Sequence, residues 1–78
     1  MMTIDKFFEH FCEELEDVDL STIDASTDFK NIDEWDSLVA LSIIAMIDEE
    51  FDIRITGSDI MKSKTIEDLY KLIQNKLR

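Results

Sequence analysis

The chain has no proline and a single glycine, Gly57, so few positions can interrupt a helix from within. Its single cysteine, Cys12, excludes a disulfide bond within the chain. The longest apolar run, residues 38–47, is about half the length that spans a bilayer. Runs with strict alternation of apolar and polar residues are also lacking, which disfavours strands. These absences exclude disulfide-stapled and membrane-spanning architectures and favour a small all-α protein.

Basic residues are scarce, because 19 Asp and Glu side chains face 8 Lys and Arg side chains, for a net charge of −11. A small soluble domain usually carries a net charge of roughly 2–8 in magnitude. Nucleic acid and anionic membrane surfaces are therefore unfavourable partners, since both need a basic patch. Basic protein surfaces are the natural partners of such a chain. The alternative interpretation is that the charge serves solubility alone.

The length of 78 residues predicts one domain, residues 1–78, with one modest core. Such a core is too small to enclose a deep substrate cleft, which disfavours an enzyme with a complete active site of its own. The first residues turn acidic at Asp5 and do not resemble a signal peptide. We therefore expect a cytoplasmic protein. A monomer is expected as well, and the alternative is weak self-association through the apolar residues around Val39 and Met46.

Three segments have the apolar spacing of amphipathic helices. The first helix is predicted to begin after Thr3, a capping residue, and to end near Glu16. The second is predicted to cover residues 37–51. The third is predicted to begin at Thr65, where Asp68 completes an approximate capping box. Their apolar stripes are, in order, Ile4, Phe7, Phe8, Phe11 and Leu15; Ala40, Ile43, Ile44, Ile47 and Phe51; Ile66, Leu69, Tyr70, Ile73 and Leu77. The first two turns of the second helix are apolar most of the way round, which is typical of a buried helix or of a partner-binding surface.

The segments between these helices differ in character. Residues 18–36 form a long connection rich in Asp, Ser and Thr, with a possible short helical turn, and connections of this length are usually functional. Its predicted apolar anchors are Leu20, Ile23, Phe29 and Ile32. Residues 52–56 are predicted to be a connection, with a brief strand as the alternative. A short helix is predicted to begin at Gly57, with Ile60 and Met61 directed inward. Met46 and Met61 are both predicted to lie in the core.

The tripeptide Asp36-Ser37-Leu38 stands at the start of the second helix. The Asp36 carboxylate is suited to cap the first free backbone N–H groups. Ser37 then lies exposed on the first turn, next to the positive end of the helix dipole, where a phosphate on its hydroxyl would be stabilised. The alternative is that Ser37 is an ordinary first-turn residue.

Other reactive side chains do not form a recognisable site. His10 and Cys12 are two residues apart and face different directions on a helix, so they do not form a nucleophile–base pair. Cys12 is expected to be buried and His10 solvated. Trp35 is expected to pack beside the entrance to the second helix. No catalytic residue and no metal site are predicted, since neither zinc-ligand spacing nor a calcium-binding loop is present.

The pattern as a whole resembles the acyl carrier protein family. The resemblance runs without gaps from Phe29 to Ile73 and rests on Asp36-Ser37-Leu38, the segment 48–52, Ile55 and the segment 65–69. Asp-Ser-Leu alone is a weak signal. Its combination with Glu50-Phe51-Asp52, in a small acidic chain, is a strong one.

This resemblance implies a bundle of three main helices and one short helix, in which Ser37 carries 4′-phosphopantetheine through a phosphodiester. Asp36 and Leu38 would complete the attachment motif. A phosphopantetheinyl transferase would install the arm from coenzyme A, and its thiol would hold acyl groups as thioesters for enzymes of fatty-acid, polyketide or related lipid biosynthesis. The protein itself would supply no catalytic group.

In this family the second helix is the docking face, and basic patches on loading, condensing and acyl-transfer enzymes contact it. The predicted docking residues here are Val39, Ser42, Met46, Asp48 and Glu49. General fatty-acid carriers have acidic residues where this chain has Val39 and Ser42, which predicts a specialised carrier. Two alternatives remain: an aminoacyl or peptidyl carrier that uses the same serine, and an acidic helical interaction module in which Ser37 is never modified.

Overall fold

The structure, a computed structural model, describes residues 3–15 and 19–76, with Leu20 described by its backbone alone. The four α-helices are α1 (Ile4–Glu13), α2 (Ser37–Phe51), α3 (Gly57–Lys62) and α4 (Ile66–Lys76). Two 3₁₀ turns, Leu20–Thr22 and Phe29–Asn31, lie in the long connection between α1 and α2. Within the described ranges no residue belongs to a strand. The predicted all-α bundle of three main helices and one short helix is confirmed.

Each helix begins where a side chain can accept the first backbone N–H groups. The Thr3 hydroxyl accepts from Lys6 N at 3.2 Å at the start of α1. Reciprocal capping boxes begin α3, between Thr56 and Asp59, and α4, between Thr65 and Asp68. The box at Thr65 had been predicted, whereas the one at Thr56 had not.

The C-terminal ends of α1 and α2 differ in backbone conformation. α1 ends at Glu13, earlier than the predicted end near Glu16, which lies outside the described residues. The N–H groups of Glu14 and Leu15 bond to carbonyls three residues back, so the chain tightens and leaves the α-helical path. α2 ends at Phe51, and its C-cap residue, Asp52, has a φ of 55°, in the left-handed region that Asp tolerates better than most residues.

One core holds the helices together. The predicted stripes supply the side chains that are fully buried, and the second 3₁₀ turn adds one more ring; these residues are Phe7, Phe11, Phe29, Ile43, Ile47, Ile66, Leu69 and Ile73. Tyr70 and Phe51 are half-buried, and Leu77 lies outside the described residues. Met46 is buried as predicted, but Met61 is 72% exposed, because Ile60 takes the inward position of α3.

The long connection is attached to the bundle at several points. Ile23 and Phe29 are buried and Ile32 packs against the core, as predicted, while the side chain of Leu20 is not described. Glu67 N donates to Ala25 O at 2.9 Å, and Asp28 forms an isolated bridge with Thr65. These bonds fix the connection against the start of α4 and thereby position the residues that precede α2.

Candidate functional site

Asp36 caps α2 and defines where Ser37 lies. The Asp36 backbone is extended, and its Oδ1 atom accepts a hydrogen bond from Val39 N at 2.9 Å. Asp36 O accepts the first helical bond, from Ala40 N at 3.0 Å. Ser37 is therefore the first residue of the helix, and it is exposed. The N–H groups of Ser37 and Leu38 are among the first four of the helix, which have no partner within it.

Trp35 fixes the backbone that leads into this cap. Its indole stacks on the Phe11 ring, with centroids 6.1 Å apart and an interplanar angle of 5°. It also contacts the Phe29 ring at a tilted angle, with centroids 4.9 Å apart. Trp35 N donates to Ile32 O at 2.9 Å. The residue before Asp36 is thus held on both its side chain and its backbone, as expected for a side chain beside the helix entrance.

Two grooves flank the first turns of α2. The α2–α3 groove has a volume of about 550 Å³. Its lining residues are Lys30, Trp35, Asp36, Ser37, Ala40, Leu41, Ile44, Gly57, Ile60 and Met61. The second groove, of about 470 Å³, is lined by Glu14, Leu15, Glu34, Asp36, Leu38, Val39 and Ser42. Ser37 thus lies on the wall of the more apolar of the two.

The large apolar side chains that are exposed in the described residues cluster around Ser37. They are Leu38, Leu41 and Met61, with exposures of 73%, 60% and 72%. Leu38 lines the second groove, and the other two line the α2–α3 groove. The exposure of Met61 could not be read from the sequence, because a helix of six residues is too short to define one face by periodicity.

The predicted docking residues are not all on the surface. Val39 and Ser42 are half-buried, and Asp48 and Glu49 are exposed. Met46 is 6% exposed and belongs to the core, so the prediction that it contacts partners is corrected. Ser42, one turn earlier on the same side of α2, is itself half-buried, so this side of the helix faces the bundle.

The residues considered for other chemistry have structural roles. Cys12 is buried, and burial raises the pKa of its thiol, so the neutral form is favoured. His10 is half-buried rather than solvated, because its ring packs edge-on against Phe51 with centroids 5.4 Å apart. Within residues 3–15 and 19–76, no group of three or more potential metal-ligating side chains was found. The same residues contain no helix long and apolar enough to cross a membrane.

The family model for the phosphopantetheine attachment site matches residues 5–73 of the chain. The chain belongs to this family. It is a carrier protein whose cofactor is covalently attached 4′-phosphopantetheine, consistent with the resemblance to acyl carrier proteins. Neither the curated proteins nor the solved structures include a significant match to this carrier.

The geometry around Ser37 fits the requirements of such an arm. Attachment needs a hydroxyl that a transferase can reach, and the Ser37 side chain is exposed. A negative charge on the Ser37 side chain would lie beside the N–H groups of Ser37 and Leu38, at the positive end of the helix dipole. The α2–α3 groove places an apolar surface beside Ser37.

Proposed function

We propose that this protein is an acyl carrier that bears its 4′-phosphopantetheine arm on Ser37. The observation that carries the proposal is the position of Ser37, exposed at the start of α2 beside the Asp36 cap, within the region matched by the attachment-site family. Asp36 and Leu38 are the flanking residues that a transferase would contact. We also propose that residues 1–78 act as a single carrier domain.

The residues of this chain would bind and orient the arm. Ser37 Oγ would form the ester bond to phosphorus, with the unpaired N–H groups of the first turn directed at the phosphate oxygens. When bound, the group supplies a terminal thiol that holds acyl cargo as a thioester. The stacking of Trp35 on Phe11 positions the backbone before the proposed attachment point relative to α1.

The groove beside Ser37 supports acyl cargo over aminoacyl or peptidyl cargo. Trp35, Ala40, Leu41, Ile44, Ile60 and Met61 give it an apolar lining. An aliphatic chain gains free energy by leaving water for such a surface, whereas an α-ammonium group does not. Val39 and Trp35, which differ from the residues of typical fatty-acid carriers, keep an aminoacyl or peptidyl carrier as the second candidate.

Partner docking would use a surface with two parts. The apolar part, Leu38, Val39, Leu41 and Met61, surrounds the attachment point. The acidic part, formed by Asp48 and Glu49, lies about three turns further along α2. We propose that the partner enzymes present an apolar recess flanked by basic residues and belong to a dedicated pathway. Two copies of this chain, each with a charge of −11, would repel each other, which supports a monomer.

We propose no catalytic role of its own for this carrier, in keeping with the phosphopantetheine attachment-site family to which it belongs. The single cysteine is compatible with the cytoplasmic location that we propose.

The cargo assignment is tested by loading the holo-protein. The holo-form is incubated with a fatty-acyl adenylating ligase and, separately, with amino-acid adenylating enzymes, and thioester formation is measured by intact mass. Acyl loading without aminoacyl loading is the expected result. Loading by the amino-acid enzymes alone would replace the acyl carrier by the second candidate. The Ser37→Ala variant serves as the control for loading at any other position.

A further inference from the structure

The Lys30 side chain extends from the second 3₁₀ turn to the backbone of α3. Its Nζ atom donates a hydrogen bond to Met61 O at 2.9 Å. The backbone of the turn is held in place by Asp28, whose Oδ1 atom accepts from Lys30 N at 3.3 Å. The ammonium group also lies 5.8 Å from the centroid of the Phe29 ring, which is fully buried. The position of Lys30 is therefore defined at both ends of its side chain.

Lys30 is the one basic residue among those that line the α2–α3 groove. The one acidic residue there is Asp36, and its Oδ1 atom is engaged in capping Val39 N. The remaining side chains of the lining are apolar apart from the Ser37 hydroxyl. A groove with an apolar wall and one cation is suited to a ligand that is apolar along its length and negatively charged at one point.

Capping of α3 does not exhaust the hydrogen-bonding capacity of this ammonium group. A lysine has three N–H donors, and Met61 O uses one of them. Hydrogen bonds from an ammonium group to an anionic oxygen are shorter and stronger than bonds between neutral groups.

We propose that Lys30 binds an anionic oxygen of the ligand that occupies the α2–α3 groove, while it keeps its bond to Met61 O. The proposal rests on the proposed attachment of the arm to Ser37. Two parts of the loaded arm supply an oxygen of this chemistry: the phosphodiester next to Ser37, and a carboxylate at the far end of a dicarboxylic acyl cargo. Lys30 is in either case a binding residue that selects how the arm lies, and not a residue that forms or breaks a bond.

The test compares three forms of the protein, made with a broad phosphopantetheinyl transferase from coenzyme A, hexanoyl-coenzyme A and adipyl-coenzyme A. The two acyl groups have equal length, and adipyl alone has a terminal carboxylate. Each form is made in the native chain and in the variants Lys30→Met, Lys30→Gln, Lys30→Arg and Lys62→Met. Lys30→Gln removes the charge but retains N–H donors for Met61 O. Lys62→Met removes a charge from an exposed α3 residue that does not line the groove.

Two signals are measured: the ³¹P chemical shift of the phosphodiester, and the rate at which hydroxylamine cleaves the thioester. If Lys30 binds the phosphodiester, Lys30→Met and Lys30→Gln shift the ³¹P resonance of all three forms, and Lys30→Arg restores it. If Lys30 binds a cargo carboxylate, adipyl is protected from hydroxylamine relative to hexanoyl. That protection falls roughly three- to tenfold in Lys30→Gln.

The proposal is overturned if Lys30→Gln and Lys62→Met give the same ³¹P shifts and the same adipyl-to-hexanoyl ratio as the native chain. Lys30 would then serve only to cap α3. Intact mass separates this result from failure of the proposed function. A gain of one arm in every variant keeps the attachment intact, whereas no gain in the native chain rejects the attachment itself. Circular dichroism of each variant excludes loss of fold as the cause.

Discussion

The indole of Trp35 lies almost parallel to the ring of Phe11, with an interplanar angle of 5° and centroids 6.1 Å apart. This contact joins the end of the long connection to the last turn of α1. Because Trp35 immediately precedes the Asp36 cap, the stacking fixes where α2 begins and therefore where Ser37 lies. The long connection is rich in polar residues, but the stacking fixes the position of its last residues, just before the cap.

Replacement of Trp35 by Ala should destabilise the fold. We expect a loss of about 2–3 kcal/mol in the free energy of unfolding, below the ~3–5 kcal/mol typical of a fully buried aromatic ring, because Trp35 is half-buried. Urea unfolding followed by circular dichroism measures this loss. Leu41→Ala is the matched control, since Leu41 is exposed and its truncation should change stability by less than about 0.5 kcal/mol. Equal effects of the two substitutions would contradict the role assigned to the stacking.

Acid should weaken the fold through the capping carboxylates of α3 and α4. The backbone N–H of Thr56 lowers the pKa of Asp59 below 3.8, with a contribution from Lys76, and the backbone N–H of Thr65 does the same for Asp68. A carboxyl group whose pKa is lower in the folded state stabilises the fold above its unfolded pKa. That contribution is lost as the pH falls through the folded pKa.

The native chain and the variants Asp59→Asn and Asp68→Asn should therefore differ most near neutral pH and converge as the pH falls through the lowered pKa of each carboxyl group in the folded state. The free energy of unfolding, measured from pH 7 down to pH 2, checks this. The large negative charge affects the free energy of unfolding of all three proteins almost equally. The difference between native chain and variant at each pH therefore removes this effect. A difference that stays constant over the whole range would show that these carboxylates do not carry the pH dependence.

The neutral residues of the docking surface should limit use by a general fatty acid synthase. We expect the holo-protein to be elongated more slowly than the carrier that belongs to that system. Val39→Glu with Ser42→Glu should raise the rate severalfold, because the added charges favour encounter with a basic docking patch. The control variant, Val39→Gln with Ser42→Gln, matches the size without the charge and should leave the rate unchanged. A native chain that is already elongated as fast as the synthase's own carrier would refute the specialised role.

Local signals in the sequence predicted the elements that position the site. Asp36, Thr65 and Asp68 act within three residues of the N–H groups they cap, so their roles could be inferred from spacing alone. The apolar stripes of the longer helices were predictable for the same reason, because each covers several turns. Thr56 and Asp59 carry the same capping signal, with the same spacing of three residues, at the start of α3.

Features that depend on contacts between distant residues could not be predicted. Lys30 and Met61 are 31 positions apart, and nothing near either residue indicates their hydrogen bond. The sequence predicted Met46 both for the core and for the docking surface, and only the packing of α2 decides in favour of the core. The half-burial of His10 likewise follows from its contact with Phe51, on another helix.

The central claim is that Ser37 carries the arm, and intact mass tests it most directly. The native chain and Ser37→Ala are incubated with coenzyme A, Mg²⁺ and a broad phosphopantetheinyl transferase, alongside a known carrier. The account predicts a gain of one phosphopantetheine on the native chain and none on Ser37→Ala, which should remain folded because Ser37 is exposed. No gain on the native chain, while the known carrier is modified, or an equal gain on both proteins, would contradict it.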